Sequence, residues 1–106
     1  MSARAAYVYL LRCSDRSLYC GWTFDFDRRL EAHRTGRGAR YTRSRLPVEV
    51  AAVYELPDAS SARREEARIK ALPRAEKLAL VRAAQREQRR APRSRTAPPS
   101  ARNRKE

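Results

Sequence analysis

The chain has 106 residues, 42% hydrophobic and 35% charged, with a formal net charge of +13 and a sequence pI of about 11.1. Such a length leaves room for one domain with a modest core, and such a charge points to a polyanion as partner. Two cysteines and one histidine exclude a disulfide framework and a structural zinc site, and no stretch is long enough to span a membrane.

The first apolar run, residues 5–11, holds two tyrosines, stops at Arg12 and lacks a small-residue cleavage site. It reads as a strand and not as a signal peptide, and the two cysteines as reduced thiols, so the expected location is cytoplasmic, at the nucleoid. Residues 7–12 and 18–23 are β-prone runs around Cys13-Ser14-Asp15-Arg16-Ser17, which predicts a hairpin. Alternation puts Tyr7, Tyr9 and Leu11 on one face and Val8 and Leu10 on the other, and both faces are largely apolar. Asp25 can cap a helix over residues 26–34, closed by Gly36 and Gly38. Residues 39–47 read as a basic loop ending at Pro47, and the β-branched run 48–56 as a third strand. Asp58 or Ser60 starts a second helix that Pro73 stops by residue 72. Pro73 suits the first turn of a third helix, with Leu78, Leu80 and Val81 as its buried side. The order ββαβαα predicts a small α+β domain: a three-stranded antiparallel sheet flanked by helices. Residues 1–85 carry a net charge of +7. Residues 86–106 carry +6 in far less length, with Pro92, Pro98 and Pro99 among Arg, Ala and Ser, and are expected to be a disordered basic tail.

Several residues stand out against this frame. Tyr9 and Tyr19 lie on the hairpin, and Gly21 keeps their face open to a close-lying group; as structural residues they would be core tyrosines with hydroxyls at the rim. Arg29 and His33 are four apart on the first helix, along the edge of the stripe formed by Phe26 and Leu30. On the second helix Ala59, Ala62, Glu66 and Ile69 define an inward face, from which Glu65 turns by about 100°. A carboxylate at Glu66 is costly there unless it is ion-paired with an arginine or ligates a divalent cation such as Mg²⁺. The stretch 37–45 spaces Arg37, Arg40, Arg43 and Arg45 around Tyr41, a set able to hold backbone phosphates and stack on a base or sugar, or simply to be a solvated loop. No Walker or dinucleotide fingerprint is present.

Together these residues resemble the GIY-YIG nuclease family, in particular its small single-domain bacterial members. Tyr7-Val8-Tyr9 stands at the first signature and Tyr19-Cys20-Gly21 at the second. Arg29 and His33 match the helix pair, Gly38-Ala39-Arg40-Tyr41-Thr42 the loop of the small members, and Arg64 to Lys70 the segment with the metal-binding glutamate. The first glycine is replaced by Tyr7, and Cys20 takes the middle of the second signature. The resemblance covers roughly residues 6–82 and implies Mg²⁺- or Mn²⁺-dependent hydrolysis of a DNA phosphodiester, with damaged, branched or single-stranded DNA as the expected substrate. It implies that Glu66 ligates the metal, that Arg29 stabilises the charged transition state, and that Tyr9 is general base through hydrogen bonds with His33 and Tyr19. The phenol needs the cation and Arg29 to lower its pKa; failing that, His33 is the base and Tyr9 positions water. The rival reading is a non-catalytic nucleic-acid-binding module using the same basic surface.

Overall fold

The computed structural model describes residues 4–90 of the chain, residues 88–90 by backbone alone. The elements in chain order are β1 (Ala6–Arg12), β2 (Leu18–Thr23), α1 (Phe26–Arg34), α2 (Arg40–Arg43), β3 (Glu49–Leu56), α3 (Ala59–Lys70) and α4 (Arg74–Arg90). The strands form one antiparallel sheet in the order β2-β1-β3. The predicted α+β architecture holds, with α2 added inside the stretch expected to be loop.

The central place of β1 explains its two apolar faces, because a strand covered on both sides has no polar side to show. Val8 and Leu10 pack with Ala62 and Ile69 of α3 and Val81 and Ala84 of α4. Tyr9 and Leu11 pack on the opposite face with Phe26 of α1 and with Val48 and Val53. Leu10 is fully buried, so Leu10→Ala is expected to cost about 2–5 kcal/mol, read as a lower midpoint in urea unfolding. The register of β1 against β3 shifts between Leu10 and Leu11, with Leu10 opposite Ala52 and Leu11 opposite Val50. Ala51 is the extra residue of this bulge.

The termini of the elements follow their chemistry. Asp25 accepts from the Arg28 N–H at the start of α1, and Asp58 from the Ser61 N–H at the start of α3. Gly36, at φ 81, closes α1 in the left-handed conformation that glycine tolerates. In the hairpin turn Asp15 accepts from the backbone and hydroxyl of Ser17, and Arg16 N–H donates to Cys13 O at 2.9 Å. The turn is tied to the segment after α2, since Ser14 N–H donates to Arg45 O and the Arg45 guanidinium pairs with Asp15 at 2.9 Å.

Two sequence expectations shift. Residues 39–47 contain a single helical turn: Ala39 is extended, and its carbonyl receives both the Arg43 N–H and the Thr42 hydroxyl. Four residues are too few to show a periodicity in sequence. The last helix runs to Arg90, past the boundary expected at 85, and residues 91–106 of the expected tail lie outside the described residues.

Candidate active site

Tyr9 faces α1 from the middle of the sheet, opposite Gly21 of β2 and diagonal to Tyr19, which pairs with Leu11. A Cβ at Gly21 would lie 2.7 Å from the Tyr9 hydroxyl and 2.9 Å from its Cζ, so only glycine lets the phenol lie across β2 there. Gly21→Ala is therefore expected to displace Tyr9 and cost about 1–3 kcal/mol by overpacking, measurable as a lower Tm together with reduced activity.

Helix α1 brings two groups to this phenol. His33 is fully buried, its Nε2 3.0 Å from the Tyr9 hydroxyl and its Nδ1 2.8 Å from Thr42 Oγ1. Its ring meets those of Tyr9 and Tyr19 edge-on, with centroids 5.7 Å and 5.4 Å away. Arg29, one turn earlier, is exposed, so the two do not share one lip as the sequence suggested: the imidazole is inside and the guanidinium stands in solvent. Its charge still acts on Tyr9, Tyr19 and His33.

Arg29 acts on the phenol in the expected direction but does not by itself outweigh burial. Burial, joined by the neighbouring Tyr19 hydroxyl, pushes Tyr9 well above the ordinary phenol pKa, and Arg29 only offsets part of this. Tyr19 is raised as well, by burial first, with Lys70 pulling the other way. Burial and then Arg29 hold His33 below the usual imidazole value, so near neutral pH the ring is uncharged. Burial, with Glu66, pushes the Cys20 thiol up to about 12, which leaves no thiolate there to act as nucleophile.

Helix α3 corrects the assignment of its inward face. Glu65, expected to turn outward, is the buried carboxylate, and it pairs with Arg68 at 2.6 Å. Glu66, expected inward, keeps 21% of its side chain exposed and pairs with Lys70 at 3.1 Å. At 100° per residue the two carboxylates lie about 50° either side of the seam that runs through Ala62 and Ile69, so spacing alone cannot choose between them. The sheet decides. Glu65 and Arg68 lie on the flank where Arg68 feels Tyr54 of β3; both carboxylates act on Cys20, but Glu66 alone lies where its charge reaches Tyr19 of β2 and Tyr9 of β1. Glu66 is thus the carboxylate within electrostatic reach of the phenols, though as a partly exposed group and not a buried one.

The basic segment divides in two. Arg37, Arg40 and Arg43 are exposed and form no ion pair among the described residues. Arg45 is engaged: besides Asp15 it donates to Tyr41 O and Ser44 Oγ and lies over the Tyr41 ring, 3.9 Å from its centroid. Tyr41 also stacks on Tyr19, centroids 5.8 Å apart and planes 23° from parallel. The sequence places Thr42 and Gly38 in the loop of the small members but shows neither the full burial of Thr42 nor the role of Gly38, where a Cβ would press into the His33 ring, 2.8 Å from Cγ. Apart from that loop motif, their only sign in sequence is a small residue and a hydroxyl amid arginines.

Among the described residues no three His, Cys, Asp or Glu side chains converge as a metal cluster. A lone carboxylate fits Mg²⁺, which keeps several waters and commonly takes one or two protein carboxylates plus substrate phosphate oxygens. It does not fit a closed zinc site.

Known proteins resemble this chain in sequence and in fold. The GIY-YIG catalytic domain matches residues 5–79. UPF0213 protein OB0043 of Oceanobacillus iheyensis is 55% identical over 75 residues, 71% of this chain and 87% of that protein. UPF0213 protein XAC3202 of Xanthomonas axonopodis pv. citri is 49% identical over 77 residues, 73% of this chain and 76% of that one. The solution NMR structure of UPF0213 protein BH0048 from Bacillus halodurans superimposes with a TM-score of 0.54 at 39% identity, covering 87% of this chain and 99% of the other. From the hairpin tyrosines to α3, then, fold and sequence agree: this chain belongs to the GIY-YIG nuclease family, among its small UPF0213 members.

Proposed function

We propose that this protein is a divalent-metal-dependent DNA endonuclease that hydrolyses a phosphodiester bond, with damaged, branched or single-stranded DNA as its substrate class. The observation that carries this reading is the hydrogen bond between the buried Tyr9 hydroxyl and His33 Nε2, with Arg29 and Glu66 both acting on the same phenol.

Tyr9 too reluctant to ionise is a poor free base but a good relay. Its oxygen accepts a proton from the attacking water while its own proton passes to His33 Nε2, so no free phenolate has to form. The water oxygen bonds to phosphorus, the bond to the 3′ oxygen breaks and that oxygen takes a proton from solvent water, while the imidazolium holds the proton gained until it returns it to solvent. Arg29, exposed at the mouth, donates to the non-bridging oxygens as charge builds on them. GIY-YIG nucleases generally use divalent metals, and Mg²⁺ or Mn²⁺ held by Glu66 would supply a Lewis acid at the phosphate. Lys70 now holds Glu66. Arg37, Arg40 and Arg43 would take flanking phosphates, while Arg45 holds Tyr41 against Tyr19 at the substrate's edge.

A plasmid nicking assay in Mg²⁺ or in EDTA, on the wild type and Glu66→Gln, tests the reading. Expected is Mg²⁺-dependent nicking that falls on the order of 10²–10³-fold in the variant. Equal nicking by both proteins would remove Glu66 from the chemistry. Salt-sensitive DNA binding with no nicking by the wild type would favour the non-catalytic binding module. Deleting residues 91–106 removes five basic residues and one acidic; it should weaken DNA binding and flatten its salt dependence, with the rate per bound complex unchanged.

A further inference from the structure

We propose that Thr42 is a positioning residue: it accepts the His33 Nδ1 proton, fixes the imidazole in its Nδ1–H form, and so leaves Nε2 bare to receive the Tyr9 proton. The catalytic meaning of that role rests on the nuclease reading above; the hydrogen-bond geometry does not.

Thr42 Oγ1 lies 2.8 Å from His33 Nδ1 and 3.1 Å from Ala39 O. A hydroxyl has one proton to give. The Ala39 carbonyl has none and already receives the Arg43 N–H at 3.0 Å. Both Thr42 contacts are hydrogen bonds only if the hydroxyl donates to the carbonyl and accepts from the ring. The opposite arrangement would set two oxygens against each other at 3.1 Å, and would put the ring proton on Nε2, where it blocks the transfer from Tyr9. The donors therefore run in one direction, from Tyr9 to His33 to Thr42 to the Ala39 carbonyl.

The local fold serves this contact. Helix α2 is a single turn that turns Arg40, Tyr41 and Arg43 outward and buries Thr42 completely. Gly38 lets the segment between α1 and α2 lie against the imidazole, where any side chain would strike the ring. The groups facing the ring are Tyr9 from β1, Tyr19 from β2 and Thr42 from α2, with Arg29 of its own helix the charge that acts on it. None of these offers Nδ1 an acceptor in place of Thr42.

The chain has one histidine, so every imidazole nitrogen signal in a long-range ¹H–¹⁵N spectrum belongs to His33. At a pH where the ring is neutral, the wild type should show a protonated Nδ1 and a bare Nε2. Thr42→Val keeps the shape and removes the acceptor; it should shift the ring toward the Nε2–H form, and Thr42→Ser should restore the original pattern. In plasmid cleavage Thr42→Val should lower kcat on the order of 10²-fold with KM little changed, and Thr42→Ser should recover most of the loss. An Nε2–H ring in the wild type, or an unchanged ring in Thr42→Val, overturns the proposal. If Thr42→Val fails to fold, the wild-type spectrum alone still decides. A wild type with the Nδ1–H ring that cuts no DNA upholds the tautomer assignment and sinks the nuclease reading instead.

Discussion

Tyr9→Phe should reduce kcat for DNA cleavage by roughly 10²–10⁴-fold, the range that a positioned proton-transfer group supplies, with DNA affinity close to wild type. The phenylalanine keeps the ring packed against Phe26 at the α1 face but removes the only link between an attacking water and His33 Nε2. The buried imidazole nitrogen loses its partner, which costs about 1–3 kcal/mol of stability and is measurable by urea unfolding. The pH dependence follows from the same contact. His33 accepts the proton, so it must be neutral, and burial and then Arg29 depress its pKa below the usual 6.5. Activity should stay level as pH falls past 6.5 and drop only below that, through the folded-state pKa of His33. The stability check has the same sign: as pH falls below 6.5 the unfolded chain takes up the imidazole proton before the folded one does, so this contribution is full above 6.5 and is lost toward the folded pKa. A rate that rises as the solution is acidified would contradict the relay.

Arg29→Ala is the second large effect: a fall in kcat on the order of 10²–10³-fold, as for loss of one donor to a developing oxyanion. Arg29 is exposed, so the fold should lose no more than about 0.5 kcal/mol, and a Tm near wild type separates chemistry from stability. Arg29→Lys should recover only part of the rate, because a point charge does not replace a planar fork on two phosphate oxygens. Since Arg29 helps to depress His33, Arg29→Ala should also shift the acid limb of the pH profile toward higher pH. An Arg29→Ala enzyme with wild-type kcat would show that the guanidinium never meets the phosphate.

The sequence read well where physics acts at short range. Asp25 and Asp58 cap the helices expected of them, and the hairpin lies where turn residues separate the β-prone runs. It read poorly where the answer depends on what lies across a gap. The two faces of β1 look alike because α1 covers one and α3 and α4 the other. Glu65 and Glu66 are symmetric about their helix seam, and only the position of α3 over the hairpin separates them. The weight of burial on Tyr9 was hidden for a related reason: a sequence shows that an arginine is near a tyrosine, not how much water the phenol has lost. Arg45 looked like one more phosphate contact until the turn supplied Asp15 as its partner.

Every side chain proposed to take part in the chemistry precedes α4, which begins at Arg74. That last helix is a buttress, seating Val81 and Ala84 against the sheet from the side away from Tyr9 and His33. An exchange beyond Arg90 is therefore expected to alter binding and leave the proposed reacting groups in place. On the proposed nuclease reading, a targeting module grafted there should redirect where DNA is cut while the hydrolytic step stays as it was.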